Sequence, residues 1–349
     1  MTITMLKHEL RKNIQAAADI LQGGGVVAFP TETVYGLGAD AANPQALRRV
    51  FDITERPSGE ALIVHIGHVS LLDYWADKIP DSAWRLASHF WPGPLTLVLP
   101  RRAHRLIAGG PSTVALRVPD HPMALSLLLN MGYDKGLAAP SACRFGRVSP
   151  TTAEHVQAGL GDAVDMVLDG GPCQVGLEST IVCFDGAAPV LQRPGGIAVP
   201  ELEEVLGQKI SQTDADPLSS HAPRYLVSRY APPIPLEVRH TGTLGKRAWD
   251  LAMQGKRVAV LEFSPPRLRP GNLRLFYYPM PAQAAKYARV LYAILHNAAN
   301  ARFDRILAEA PPQTADWQTV HDRLRHAATL YSASPVQPNP SQPQENHHA

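Results

Sequence analysis

The sequence predicts an α/β protein: a mixed sheet covered by helices, followed by a second, smaller α/β unit. Three observations predict it. Apolar runs are continuous rather than alternating, as in strands buried on both faces. Many of the 32 prolines close such runs, because proline has no N–H to donate to a ladder. Stretches of helical period lie between several of the runs, the pattern of crossover connections.

Taken in order, VVAFP (26–30) is the first strand and 43–53 the helix after it. LIVHI (62–66) follows, short and apolar with His65 inside it, and then a helix at 81–90. LTLVLP (95–100) and VALRVP (114–119) both end at proline, and a helix at 121–131 follows them. LAAPSA (137–142), MVLD (166–169) and STIVCF (179–184) complete the first unit. A strand that ends at a proline and delivers polar residues into a loop is how open α/β sheets build ligand sites.

Composition then shifts. Residues 207–234 are rich in Ser, Asp and Pro without apolar periodicity, which reads as a linker. Strands RVAVLEF (257–263), RLFYYP (274–279) and RILAEAPP (305–312) alternate with helices at 281–300 and 316–331, implying a parallel sheet. The expected division is 1–206, a linker at 207–234, a second domain at 235–332 and a disordered, proline-rich tail at 333–349.

Apolar residues are 45% of the 349 and charged residues 18%, ordinary for a globular protein. No apolar stretch reaches the roughly 20 residues that span a bilayer, and the N-terminus lacks a secretory pattern. Three cysteines without zinc-type spacing favour free thiols and a reducing cytoplasm. A net charge of +2 is too weak to indicate nucleic-acid binding by itself. No P-loop, GxGxxG, nucleophile-elbow or HExxH pattern is present.

Three stretches carry candidate chemistry. FPTETVYGLGAD (29–40) presents two threonine hydroxyls around Glu32; its alternative reading is a strand-to-helix turn with a capping threonine. AAPSACRFGRVSPTT (138–152) offers Ser141, Ser149 and Thr151 in a small-residue loop. There Ser149 also reads as an N-cap with Pro150 at the first helical position, and a helix N-terminus beside such a loop suits an anion. GLESTIVCF (176–184) and QRPGGI (192–197) place Ser179 and Arg193 at strand ends. Arginines at the ends of apolar strands, Arg117 and Arg193, are costly unless paired or facing an anionic ligand. Their candidate protein partners are Glu32, Glu178 and Asp120. With Arg56 they point to a site for negative charge.

In this order and spacing, PTETVYGLG, ERP…LIVHI, FWPGPLTLVL, VALRVPDHP, APSA…SPT, GLESTIV and RPGGI resemble the YrdC-type threonylcarbamoyl-AMP synthases. SRYAPPIPL and DRLRHAA (322–328) resemble that family's two-domain, long form. The resemblance implies a twisted YrdC-like sheet plus a Rossmann-like C-terminal domain, joined by a loop that folds over the site. The implied reaction condenses L-threonine, bicarbonate and ATP into threonylcarbamoyl-adenylate and pyrophosphate, a step toward threonylcarbamoyladenosine in tRNA through a partner transferase. Thr33, His65, Arg117 and Ser179 would then surround threonine. Arg56, Thr113, Ser141, Ser149, Arg193 and Tyr230 would surround the nucleotide, with Arg56 and Ser141 at the reacting centre and Tyr230 in the lid. Mg²⁺ would come with ATP, held mainly by its phosphates, without a metal site of the protein's own.

The same resemblance shows a divergence. The family's lysine place holds Thr54, its Asn-Pro place Glu60-Ala61, and its Ser-Ala-Asn place ends in Cys143. In the linker, Gly-Met and His-Tyr become Pro223-Arg224 and Arg229-Tyr230. One lost contact to developing charge costs about 2.7–4 kcal/mol of transition-state stabilisation. Arg144 and Arg147 are candidates to compensate; their alternative is a solvated surface. Two other functions fit the divergence: a paralogue handling a carbamoyl or carbamoyl-adenylate intermediate, and a non-catalytic RNA-binding or regulatory module.

Overall fold

A computed structural model of the chain describes residues 3–58, 60–102, 112–184, 188–213, 230–263 and 272–332. Helix α1 (Ile3–Gln22) opens it. Ile14, Ala17, Ala18 and Leu21 are buried, an i, i+3, i+4, i+7 stripe that commits one helical face to the core. Next come β1 (Val27–Phe29), β2 (Gly36–Asp40) and α2 (Pro44–Thr54). Asn43 starts α2 by accepting the N–H groups of Gln45 and Ala46, with Pro44 in the first turn, as N-terminal capping favours. Then follow β3 (Ile63–Ile66), α3 (Leu72–Trp75), α4 (Asp81–Phe90), β4 (Leu95–Pro100), β5 (Thr113–Arg117), α5 (Pro122–Met131) and β6 (Gly136–Ala139). The first unit closes with α6 (Ala153–Leu160), β7 (Met166–Val167), β8 (Thr180–Phe184), β9 (Pro189–Arg193), α7 (Val199–Leu206) and β10 (Ser211–Gln212).

These strands form one sheet in the order β10-β9-β8-β4-β5-β3-β6-β2-β1-β7. It is mixed: β3 with β5 and β4 with β8 are parallel, while β4 with β5 and β3 with β6 are antiparallel. Parallel register sets His65 opposite Arg117. On one side α1 packs on α5 through Leu21, Leu127 and Met131; a larger core fills the rest of the unit.

The second unit contains β11 (Leu236–Arg239), α8 (Thr241–Met253), β12 (Val258–Glu262), β13 (Leu275–Pro279), α9 (Ala284–Asn300), β14 (Arg305–Glu309), α10 (Gln318–Ala327) and β15 (Leu330–Ser332). Its sheet, β13-β12-β14-β11-β15, is parallel throughout. The two units share apolar core: Val34, Val148 and Leu177 of the first pack with Tyr287, Tyr292 and Leu324 of the second.

Several expectations need correction. Residues 36–40 form strand β2 rather than a turn into a helix. Ser149 is not an N-cap; α6 begins three residues later than expected, capped by Thr152, whose hydroxyl accepts the His155 N–H. The last helix ends at Ala327 instead of 331, and the chain turns into an edge strand, β15, beside β11. Pro223, Arg224, Arg229 and the tail 333–349 lie outside the described residues.

Candidate active site

The first unit carries an open cleft, edged by Tyr230 from the end of the linker, with about 880 Å³ of space that includes its solvent-filled mouth. One wall comes from β3, β5 and the loop after β1. Arg117 is buried there. Its Nη1 donates to Thr33 Oγ1 at 2.8 Å and its Nε to the Gly93 carbonyl at 3.2 Å. Its Nη2 lies 2.6 Å from Glu32 Oε1, with both side chains 4% exposed. So Glu32 is the carboxylate that balances Arg117, and it is itself fixed by accepting the Asp120 N–H at 3.0 Å. His65, edge-on to Phe29, faces the same space; burial, aided by Arg117, pushes its pKa down to about 3, so it is a neutral imidazole at physiological pH. Ser179 is held from behind by Thr96 at 2.8 Å and by Arg193, which grips its carbonyl and hydroxyl.

The other wall comes from the loop after α2, the loop after β6 and the end of the linker. Arg56 donates to Glu60 at 2.9 Å and lies 5.4 Å over the Phe145 ring. Ser141 sits on an isolated bridge with Gly36. The hydroxyl of Ser149 donates to Glu178 Oε1 at 2.7 Å. Cys143 lines the cavity as a neutral thiol, its pKa pushed up to about 11 by burial. Tyr230 is the first described residue after 214–229, and it adopts a left-handed backbone (φ 60°). The next residue, Ala231, donates its N–H to the Gly146 carbonyl and bridges Arg147, so the linker's end is sewn to the pocket loop.

The fold thus brings Thr33, His65, Arg117, Ser179, Arg56, Ser141, Ser149, Arg193, Tyr230 and Arg147 to one cavity. Thr113 is an exception: it begins β5, four residues or about 13 Å from Arg117, and does not line this space. Arg144 is another. It faces away, 3.4 Å from Glu55 with both side chains 60% exposed. Thr54 is buried inside α2, its hydroxyl donating to the Val50 carbonyl at 2.6 Å. Glu178, Tyr292 and Arg323 complete the back of the site. The sequence offered Glu178 only as a partner for Arg117 or Arg193 and Arg323 only as part of DRLRHAA, without a role, and nothing local marks Tyr292; the last two arrive from α10 and α9.

Two buried polar atoms of residues lining this cavity, Arg56 Nε and His65 Nδ1, have no hydrogen-bond partner, while Arg117 Nη2 and Glu32 Oε1 meet each other as an ion pair. Buried polar groups are otherwise nearly always satisfied, so Arg56 Nε and His65 Nδ1 mark positions where a ligand's polar groups belong. Among the described residues no group of three or more His, Cys, Asp or Glu could hold a metal ion. The cavity's own carboxylates, Glu60 and Glu178, are each engaged by an arginine.

A mixed sheet whose strand ends deliver arginines and hydroxyls into a cavity, with a parallel-sheet domain packed behind it, is the architecture of a two-domain α/β enzyme. The chain belongs to the Sua5–YciO–YrdC family (described as "Telomere recombination"), which matches residues 19–195, followed by the threonylcarbamoyl-AMP synthase C-terminal domain at 197–329. It is 37% identical over 330 residues to the threonylcarbamoyl-AMP synthase of Bacillus subtilis, covering 90% of this chain and 92% of that one. With the enzyme of the same name from Pyrococcus abyssi it shares 45% identity over 197 residues, 56% of this chain and 57% of the relative. The crystal structure of P. abyssi Sua5 complexed with L-threonine superposes with a TM-score of 0.81 at 34% identity, covering 92% of this chain and 96% of that one.

Proposed function

We propose that the protein is a threonylcarbamoyl-AMP synthase, joining L-threonine, bicarbonate and ATP into threonylcarbamoyl-adenylate with release of pyrophosphate. The observation that carries this reading is the gathering of Arg117, His65, Thr33 and Ser179 on one wall of a cavity whose opposite wall bears Arg56, Arg193 and Ser149, with His65 Nδ1 and Arg56 Nε left without a hydrogen-bond partner. Arg117 meets three protein acceptors, Gly93, Thr33 and Glu32, and a guanidinium has about five N–H donors, so it keeps donors for the carboxylate of an amino acid. Neutral His65 can share a proton with the amino or hydroxyl end. Thr33 and Ser179 complete the threonine side.

Arg56, Ser141, Ser149, Arg193 and Tyr230 form the nucleotide side, with Arg147 at its rim. Making the adenylate forms an oxygen–phosphorus bond at the α-phosphate and breaks the anhydride to the β-phosphate, so the site needs cations on the leaving pyrophosphate. Arg193 and Arg147 are the cavity arginines without a carboxylate partner among the described ion pairs, and Arg147 is the one placed to stand in for a lysine at Thr54. Mg²⁺ enters as part of the MgATP substrate, because the protein's donor set offers no cage of its own. The same reading divides the chain into a catalytic unit (1–206), a linker (207–234) whose first part adds β10 to the catalytic unit's sheet, and a second domain (235–332). It places the enzyme in the cytoplasm, upstream of tRNA and a transferase that takes the acyl group. Among the described residues no helix is long and apolar enough to cross a membrane.

The test is pyrophosphate release from ATP, bicarbonate and Mg²⁺, with and without L-threonine. Threonine-dependent release is expected, falling at least tenfold in Arg147→Ala if that arginine meets the phosphates. Absence of threonine-dependent release from the wild type overturns the reading. The Arg56–Glu60 pair favours one alternative, a donor less charged than a triphosphate, and release or turnover with carbamoyl phosphate in place of bicarbonate would select it.

A further inference from the structure

Arg323 belongs to α10 of the second domain, yet it is fully buried at the back of the cavity. Its Nε donates to Glu178 Oε2 at 2.7 Å, its Nη2 donates to the Pro194 carbonyl at 2.9 Å, and its guanidinium lies 4.9 Å over the Tyr230 ring. Its Nη1 contacts Asp322. One planar side chain therefore touches the loop before β8, the turn after Arg193 and the end of the linker. A lysine's point charge cannot serve that fork.

Glu178 is the acceptor at the centre. Oε2 takes Arg323 and the Tyr292 hydroxyl (3.2 Å), and Oε1 takes the Ser149 hydroxyl. An ionised carboxylate only accepts, so Ser149 has no choice of direction: its proton points back at Glu178 and its oxygen lone pairs face the cavity. Remove the guanidinium, and a buried carboxylate tends to take up a proton. It would then offer its own proton to Ser149, reversing which end of that hydroxyl the ligand meets.

We infer that Arg323 is a positioning residue: from the second domain it keeps Glu178 an acceptor, and so presents Ser149 to the nucleotide as a hydrogen-bond acceptor while bracing Tyr230 behind it. This deepens the proposed function and rests on it. Burial alone would push Glu178 up; Arg323 and then Arg193 hold its carboxyl below the ordinary value. The other groups facing this cluster are Tyr292 from α9, Tyr230 from the linker, Asp322 from α10 and the neutral thiol of Cys143. His296 is nearby, at 3.2 Å from the Ser149 carbonyl. Arg117, Glu32 and Thr33 tie the threonine wall together, and among the described residues the partners of Arg323 are Glu178, Asp322, Pro194 and Tyr230 instead.

The experiment compares wild type, Arg323→Lys and Arg323→Gln by threonine-dependent pyrophosphate release with ATP and threonine varied separately, between about pH 6 and pH 9. Arg323→Gln is expected to raise the ATP KM about tenfold, with the threonine KM within about threefold. Its ATP KM should also worsen as pH falls, a dependence the wild type lacks. Arg323→Lys keeps the charge, so it should restore the flat pH profile while leaving ATP KM raised about threefold. A role in folding alone would lower kcat through the active fraction and leave both KM values and the pH profile unchanged; that outcome overturns the proposal. Should Arg323→Gln not fold, an unchanged ATP KM in Arg323→Lys overturns it equally. A second readout needs no turnover: infrared difference spectra should show a protonated-carboxyl band in Arg323→Gln that the Arg323→Gln/Glu178→Gln double variant lacks. If the wild type shows no threonine-dependent release, the functional reading fails, whereas absence of that band fails Arg323.

Discussion

At the scale of the residue, Glu60 is the side chain most at odds with a triphosphate site. It is 10% exposed on the cavity wall and draws the Arg56 guanidinium to 2.9 Å. Every phosphate that reaches Arg56 has to compete with this carboxylate, a charge-assisted bond worth about 1.5–3 kcal/mol. Glu60→Gln keeps the shape and removes the competitor, so the ATP KM is expected to fall by about tenfold with the threonine KM unchanged, read from initial rates. A rise instead would show that Glu60 holds Arg56 in its working rotamer. What the sequence disclosed at this scale was chemistry without partners. It showed that Arg117 requires an anion and named three carboxylates for it. Only the packing of Glu32 against the Asp120 backbone selects one. Thr54 and Glu60 were visible as foreign to their places. That Thr54 turns inward to its own helix, and so leaves no cation there, follows from a hydroxyl bonding back to the carbonyl four residues earlier.

At the scale of the element, α6 and α9 meet through a pair of histidines. His155 and His296 stack with centroids 4.0 Å apart and planes 15° from parallel. His155 Nδ1 lies 3.3 Å from the Thr151 hydroxyl and from its N–H; His296 Nε2 lies 3.2 Å from the Ser149 carbonyl. Burial, and then His296, press His155 from its ordinary 6.5 down to about 4, against a smaller opposing pull from Glu154. Burial also lowers His296. The folded state therefore binds fewer protons than the unfolded chain between about pH 6.5 and 4. Stability is full above that window and lost as pH falls through it. Thermal melts should show the midpoint dropping from pH 7 to pH 5, and His296→Gln should flatten the drop, while equal slopes would remove the pair from the account. Elements with a clear period were legible: α4 spans the expected 81–90, and β4 the expected 95–100. β2 was not, because its sequence GLGAD has no β-branched or aromatic residue and its strand character comes from pairing with β1 and β6. β15 was hidden for a different reason: it has only three residues, directly after a helical stretch, and its strand character comes from pairing with the distant β11.

At the scale of the whole molecule, the decisive contact is between backbones. Gly176 has φ +77°, donates its N–H to the Thr33 carbonyl, and lies so close to α9 that a Cβ would sit 2.4 Å from the Arg289 carbonyl oxygen and 2.6 Å from its Cα. A left-handed backbone already costs a non-glycine residue about 1 kcal/mol, and here no flexible side chain is available to yield. Two residues along the same loop stands Glu178, and three residues along α9 stands Tyr292, which bonds it. The close approach thus sets the distance at which the second domain can reach the carboxylate. Gly176→Ala should push α9 away from the loop. Calorimetry should show unfolding spread over a wider temperature range than in the wild type, or divided into more steps, as the domains lose their shared core. Steady-state rates should show the ATP KM rising more than the threonine KM, because Glu178, which holds Ser149 on the nucleotide side, is itself held by Tyr292 and Arg323 of the second domain. If the unfolding profile matches the wild type and both KM values stay within twofold, then α9 can shift on its own sheet without disturbing the site. The second domain would then act through side chains such as Arg323 alone, and the glycine would be a local fit rather than the spacing element of the molecule.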